Sequence, residues 1–324
     1  MLHPLNELPG LSRKAVQRIK PYIWTTSVEY SPLLSRLTGA RVWLKNESLQ
    51  RTGSFKIRGA ANFILDLSRE LQQRGLVTAS TGNHALAFAT IVDELKLPGK
   101  IYLPETASQE KIARLREFEV ELVQIGDDCL HAEIAAIAEA VKAGATYVSP
   151  YNHPEIIAGQ GTIGLELIEQ LPDVTAVFCP VGGGGLCSGV GAVMKEWKTE
   201  CSLIGCQPVN SKVMHDSIEA GEILDIPSEP TLSDGTAGGM EAKAITFEYC
   251  QQLIDSFCLI TEDQIKQAIR MIAKEHQLLI EGSAALSVAG ALQMAGRLDN
   301  RTVVLILTGR HISYDSLRQI LNEH

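Results

Sequence analysis

The feature that most restricts what this chain can fold into is a rhythm of short, apolar, β-rich runs separated by amphipathic segments. "RVWLKNE", "LVTAS", "KIYLP", "VELVQIG", "ATYVSP", "AVFCPVG", "SLIGCQP" and "RTVVLILTG" succeed one another between Arg41 and Gly309, and most lead through a turn into a helical pattern. One such helix, "AEIAAIAEAVKAG", ends on Gly144, where a left-handed residue closes a helix. Strands apolar on both faces and alternating with helices specify a doubly wound α/β protein with parallel sheets. The runs are numerous enough for two sheets. A junction is expected at "YVSPYNHPE", residues 147–155, where proline, asparagine and histidine break the pattern. No internal repeat, low-complexity tract or long linker interrupts the rhythm.

Charge and composition exclude several functions. The formal charge of −9 over 324 residues is spread along the chain without a basic block, so neither nucleic acid nor an anionic membrane surface is an expected partner. No apolar run approaches a membrane span, and "MLHPLNELPG" lacks the uninterrupted core of a secretory signal, so a cytoplasmic protein is expected. Seven cysteines without a C-x-x-C pair, among them Cys179, Cys206 and Cys258 in apolar runs, read as buried thiols. Eight histidines without H-E-x-x-H or paired spacing give zinc chemistry no support, and no metal is expected.

In doubly wound folds ligands bind where strands end and helices begin, because backbone N–H groups point outward there. Three turns fit that description. In "VFCPVGGGGLCSGVG" a buried strand enters Gly182, Gly183, Gly184 and Gly185, then Leu186 and a small-residue helix. Four residues without Cβ let the backbone wrap an anion, so phosphate is the natural occupant, although a merely flexible turn shares the pattern. No Gly-Lys-Ser/Thr follows, so it is not a Walker loop. A literal G-x-G-x-x-G at "GQGTIG", residues 159–164, lacks a clear strand before it and an acid about twenty residues on; a tightly packed helix start explains those glycines better than a dinucleotide. The second turn, "LVTASTGNHALAFA", offers Ser80, Thr81, Gly82, Asn83 and His84 at a helix start, which suits a carboxylate but equally a cap. The third is the strand end at Thr308-Gly309, whose hydroxyl can serve a ring nitrogen. Lys56, in "RTGSFKIRGA", sits at a helix start where the dipole disfavours a cation. A positive potential lowers an amine pKa, which suits a Schiff-base lysine, and a cofactor with a phosphate, an aldehyde and a ring nitrogen connects all these pieces: pyridoxal phosphate.

The ordered set "GSFKIRGA", "STGNHA", "GQGTIG", "VGGGGL", "EGSAAL" and a strand ending in "TG" covers nearly the whole chain. It resembles the serine/threonine dehydratase branch of the fold-type II pyridoxal-phosphate enzymes, which includes serine racemase, and specifically its short catabolic type. The resemblance implies a tryptophan-synthase-β-like fold, with residues 1–68 and 149–324 forming a large cofactor domain and residues 69–148 a small mobile one. It implies that Lys56 carries the cofactor and removes the substrate α-proton, that Phe55 lies against the ring, and that Asn83 bonds the ring 3-hydroxyl. By the same resemblance Gly182 to Gly185 and Leu186 hold the phosphate, Thr308 faces the pyridine nitrogen, and Ser80, Thr81, Gly82, Asn83 and His84 surround the substrate carboxylate. A neutral partner for the nitrogen makes the ring a weaker electron sink and favours β-elimination, giving a 2-oxo acid and ammonia from threonine, serine or a related β-hydroxy amino acid. A homodimer is also implied.

The chain departs from that family in particular places. Leu86 and Ala87 stand where glutamine and glycine are common, and Arg310-His311 stand where Ser-Gly-Gly-Asn usually ends. Gln207-Pro208, Ser211 and Val213 replace the acidic ligands of cation-binding members, which argues against a divalent metal there. Racemases carry serine at the position of Thr81, so racemisation, with Thr81 as second acid/base, remains an alternative. Leu86 and "TGRH" fit branches acting on bulkier substrates of the hydroxyectoine-derived or phenylserine type. A non-catalytic pyridoxal-phosphate or amino-acid binder is the third alternative.

Overall fold

Ten strands divide into two sheets in the computed structural model, which describes residues 4–127 and 129–323. They are β1 (Val28–Tyr30), β2 (Arg41–Lys45), β3 (Leu76–Ala79), β4 (Gly99–Leu103), β5 (Glu121–Gln124), β6 (Thr146–Tyr147), β7 (Ala176–Pro180), β8 (Ser202–Pro208), β9 (Ser256–Ile260) and β10 (Thr302–Ile306). The larger sheet has the order β1-β2-β10-β7-β8-β9 and is parallel except for β1, which pairs antiparallel at the edge. The smaller sheet, β5-β4-β3-β6, is parallel throughout. Helices cover both, which makes this the α/β architecture of two doubly wound parallel sheets. The eight apolar runs became β2 to β8 and β10. The strands β1 and β9 complete the edges of the larger sheet; β1 has only three residues, and the apolar run around Cys258 was not counted among the strands.

Period-two alternation distributes the larger sheet between two cores. Ala176, Phe178, Val303 and Leu305 pack on the side of helix Gly282–Gln293, while Val177, Cys179, Val304 and Ile306 face helices Pro154–Gln170 and Gly185–Trp197. Both β7 and β10 are buried along their whole length, as central strands must be. The expected helix start at "GQGTIG" is corrected: the helix begins at Pro154, capped by His153, and the glycines lie within it. A Cβ on Gly159 would come within 2.5 Å of the Arg58 carbonyl oxygen, and one on Gly161 within 3.0 Å of the Gly189 carbonyl. These residues are small because three helices approach backbone to backbone there.

Arg58, two residues beyond Lys56, fixes the helix Lys56–Asp66 to this framework. Its guanidinium, fully buried, forks onto both Glu47 oxygens at 2.8 Å and reaches Glu166 at 2.7 and 3.0 Å. Lys45, also fully buried, bonds Glu166, Gln170 and the Thr26 carbonyl. Burial works against the Glu47 charge, but the adjacent Arg58 and Lys45 hold its carboxyl below the ordinary range. Cys179, Cys187, Cys201, Cys206, Cys250 and Cys258 are free and buried. Among the described residues no helix is long and apolar enough to cross a membrane.

Candidate active site

A cleft of about 740 Å³ opens at the carboxyl ends of the strands, where the two sheets' loops converge. Phe55, Lys56, Ser80, Thr81, Gly82, Asn83, His84, Gly182, Gly183, Gly184, Gly185, Leu186 and Thr308, all singled out in the sequence, line this one cavity.

Lys56 is the first residue of its helix, and Phe55 occupies the cap position without a side-chain cap. Ser54 does not cap that helix; its hydroxyl is buried and has no hydrogen-bond partner among the described residues. The preceding loop is stitched to the end of β10: Phe55 N–H donates to the Thr308 carbonyl at 3.0 Å, and Arg310 N–H to the Gly53 carbonyl at 3.0 Å. Lys56 Nζ donates to the Pro150 carbonyl at 2.9 Å and lies 5.4 Å from the centre of the Phe55 ring. Desolvation pushes its amine down to about 8, against the pull of the Glu281 carboxylate.

The glycine turn joins β7 to helix Gly185–Trp197, and Gly184 takes the left-handed φ of 85°. Walls press on it from several sides. A Cβ on Gly183 would sit 2.5 Å from the Tyr151 ring, one on Gly184 2.8 Å from Cys250 Sγ, and one on Gly182 3.0 Å from Thr236 Cα. Only glycine fits, and the helix amino terminus behind it favours an anion. Together with the desolvated lysine, this cradle fits a phosphate-bearing aldehyde.

His84 is buried, and its Nε2 lies 3.2 Å from the Val148 carbonyl oxygen. Because a carbonyl only accepts, Nε2 carries the proton; burial and then Lys56 push the ring down to about 3, so it is neutral. Leu86, one turn along the helix Asn83–Glu94, also lines the cleft and brings an apolar surface to it.

The acid of "EGSAAL" has no role that the sequence alone assigns. Glu281 occupies the position before the helix Gly282–Gln293 without a side-chain cap bond, and is 3 % exposed in the cleft wall. Its oxygens accept from Asn83 Nδ2 at 3.0 and 2.9 Å, from Thr308 Oγ1 at 3.2 Å and from the His311 N–H at 3.2 Å. Burial nevertheless raises its carboxyl to about 7. Gly309 makes room for it, since a Cβ there would be 2.6 Å from either oxygen. A lone acid before a small-residue helix was the available signal. Pro150 and Tyr151, from the junction between the sheets, gave none. At the former cation-ligand positions, Gln207 Oε1 accepts from the His215 N–H at 2.8 Å, and Ser211 Oγ pairs with Ser228 Oγ at 2.8 Å.

Residues 19–309 match the family described as pyridoxal-phosphate dependent enzymes. An L-threonine ammonia-lyase of Thermotoga maritima is 38 % identical over 96 % of this chain and 77 % of its own. Among solved structures, the processed form of threonine deaminase isoform 2 from Solanum lycopersicum has a TM-score of 0.91 and 34 % identity, covering 97 % of this chain and 92 % of that one. Maize serine racemase has a TM-score of 0.90 and 28 % identity, with coverages of 96 % and 95 %.

Proposed function

The chain belongs to the pyridoxal-phosphate dependent enzymes, and from that membership we propose that it deaminates L-threonine, L-serine or a related β-hydroxy amino acid by β-elimination, to give a 2-oxo acid and ammonia. The observation that carries this reading is the convergence of a desolvated lysine, an anion-cradling glycine turn and the Ser80–His84 helix start on one cleft. The relative that is an L-threonine ammonia-lyase supports the substrate class.

In this reading Gly182 to Gly185 and the helix behind them would hold the cofactor phosphate, Phe55 would support the ring, Asn83 would bond its 3-hydroxyl and Thr308 would serve its nitrogen. When bound, pyridoxal phosphate supplies an aldehyde for amine attachment and a conjugated ring that spreads the electrons left at Cα. Ser80, Thr81, Gly82 and the backbone at Asn83 orient the substrate carboxylate, and His84, being neutral, contributes no charge to it. Lys56 Nζ, neutral a little above pH 8, takes the α-proton. The β-hydroxyl leaves as water, and the released enamine regains water as it hydrolyses, so the balance is one amino acid to one 2-oxo acid and ammonia. The unit from residue 69 to 148, which carries Asn83, closes on the substrate and excludes bulk water. The enzyme works as a cytoplasmic homodimer, testable by light scattering and fractionation.

The direct test is a panel of β-hydroxy amino acids in both enantiomers, phenylserine included because Leu86 lines the cleft, assayed for ammonia and 2-oxo acid. Lys56→Ala should lose on the order of 10³-fold or more in turnover, and borohydride should add cofactor mass at Lys56 in the wild type only. Full turnover by Lys56→Ala would refute the proposal, and absence of cofactor from the purified protein would leave a non-catalytic reading no better placed. A second reading, racemisation, rests on the Thr81 hydroxyl in the cleft wall; it requires D-serine to form from L-serine and to diminish in Thr81→Val.

A further inference from the structure

Asn83 is held from both ends of its side chain. Nδ2 faces the two oxygens of Glu281 at 3.0 and 2.9 Å, while Oδ1 lies 2.5 Å from His311 Nδ1. The two partners come from different places in the large-sheet framework, one preceding helix Gly282–Gln293 and the other following β10, whereas Asn83 opens a helix beside the smaller sheet. The chemistry fixes each proton. Glu281 accepts from Thr308 and from the His311 backbone as well, so once ionised, above about pH 7, it has only acceptor oxygens and the amide turns its N–H₂ toward it. Its oxygen then faces the imidazole, and that contact is a hydrogen bond only if Nδ1 carries a proton. Burial, reinforced by Arg114 and Arg310 and opposed by Asp234, keeps the ring neutral, so Nε2 is bare. The ring has space because residue 53 is glycine: a Cβ there would be 2.9 Å from Nε2.

We propose that His311 is a positioning residue, whose Nδ1–H fixes the orientation of the Asn83 amide so that its N–H₂ is presented to Glu281 and to the cofactor. The proposal rests on the reading of the cleft given above. A turned amide would set its oxygen against a carboxylate and against the oxygen it should bond, so loss of the His311 donor weakens cofactor binding without removing any cofactor contact.

The test measures the pyridoxal-phosphate dissociation constant of the resolved full-length protein by absorbance titration, with the visible spectrum of the bound form. His311→Ala should bind about tenfold more weakly, the scale of one lost hydrogen bond to a group the ligand needs. His311→Asn, whose Nδ2 occupies the place of Nδ1, should restore affinity to within about twofold and restore the spectrum. Equal loss in both variants would mean simple packing, and equal wild-type affinity in both would mean no role; either overturns the proposal. Nitrogen NMR of the wild-type ring decides independently if a variant fails to fold: Nδ1–H supports the proposal, and Nε2–H sinks it. If the wild type binds no pyridoxal phosphate, the reading of the cleft fails; if the wild type binds and His311→Ala binds equally well, only this inference does.

Discussion

At the scale of single residues, the site couples two groups whose burial opposes their charge. Glu281 titrates at about 7 in the folded protein, above the ordinary value of 4.5. An acid with a raised folded pKa favours the native state while protonated, so this contribution is present at low pH and is lost as pH climbs from about 4.5 through 7. The loss amounts to about 3 kcal/mol. Thermal melts of the cofactor-free protein should therefore flatten against pH in Glu281→Gln. Lys56 has the opposite displacement: only the neutral amine attaches an aldehyde, so cofactor uptake should quicken with rising pH and level off above about 8, measurable by stopped-flow absorbance. Most of the site's members were legible because they lie in short motifs at strand ends, and the family resemblance those motifs carry, rather than their spacing, implied their roles. Glu281 and His311 were not, since their importance arises from meeting Asn83 across 198 and 228 residues of chain. No local pattern encodes such a meeting.

Elements carry the next level of constraint. Between β7 and its helix, Gly183 has no space for a methyl group, because the Tyr151 ring would lie 2.5 Å away. Gly183→Ala should weaken phosphate-bearing cofactor binding by tenfold or more, about 1.4 kcal/mol, in equilibrium titration. The helix that begins at Lys56 depends on Arg58, whose removal leaves Glu47 buried and short of its main partner. Arg58→Met should cost about 3–5 kcal/mol in urea unfolding. Apolar runs announced the inner strands, since buried parallel strands must be apolar on both faces. Edges were less visible: β1 has three residues and two of them exposed, and β9 begins with an exposed serine. "GQGTIG" was misread as a helix start because glycine commonly marks ends. Here it marks where helices touch, which depends on partners far away in sequence.

At the scale of the whole molecule, polar bridges span the cleft from Asn83 to Glu281 and from Lys111 to Asp234 at 3.0 Å, and outside it Arg51 pairs with Glu94 at 2.6 Å. The Lys111 pair is exposed, so Lys111→Ala should change stability by less than about 1 kcal/mol in thermal melts while altering how firmly the cleft stays shut, read as faster proteolysis of the ligand-free protein. The strand order has a further consequence, for synthesis. In β1-β2-β10-β7-β8-β9, the first two strands made are linked to β7 only through β10, made after all the others described, and its end also anchors the loop before Lys56. A nascent chain halted before residue 302 therefore holds two unjoined half-sheets with the lysine on one and the glycine turn on the other. Ribosome-tethered chains of that length should not retain cofactor, whereas release of the whole chain should restore capture. Acquisition of the cofactor thus depends on β10 being in place between β2 and β7.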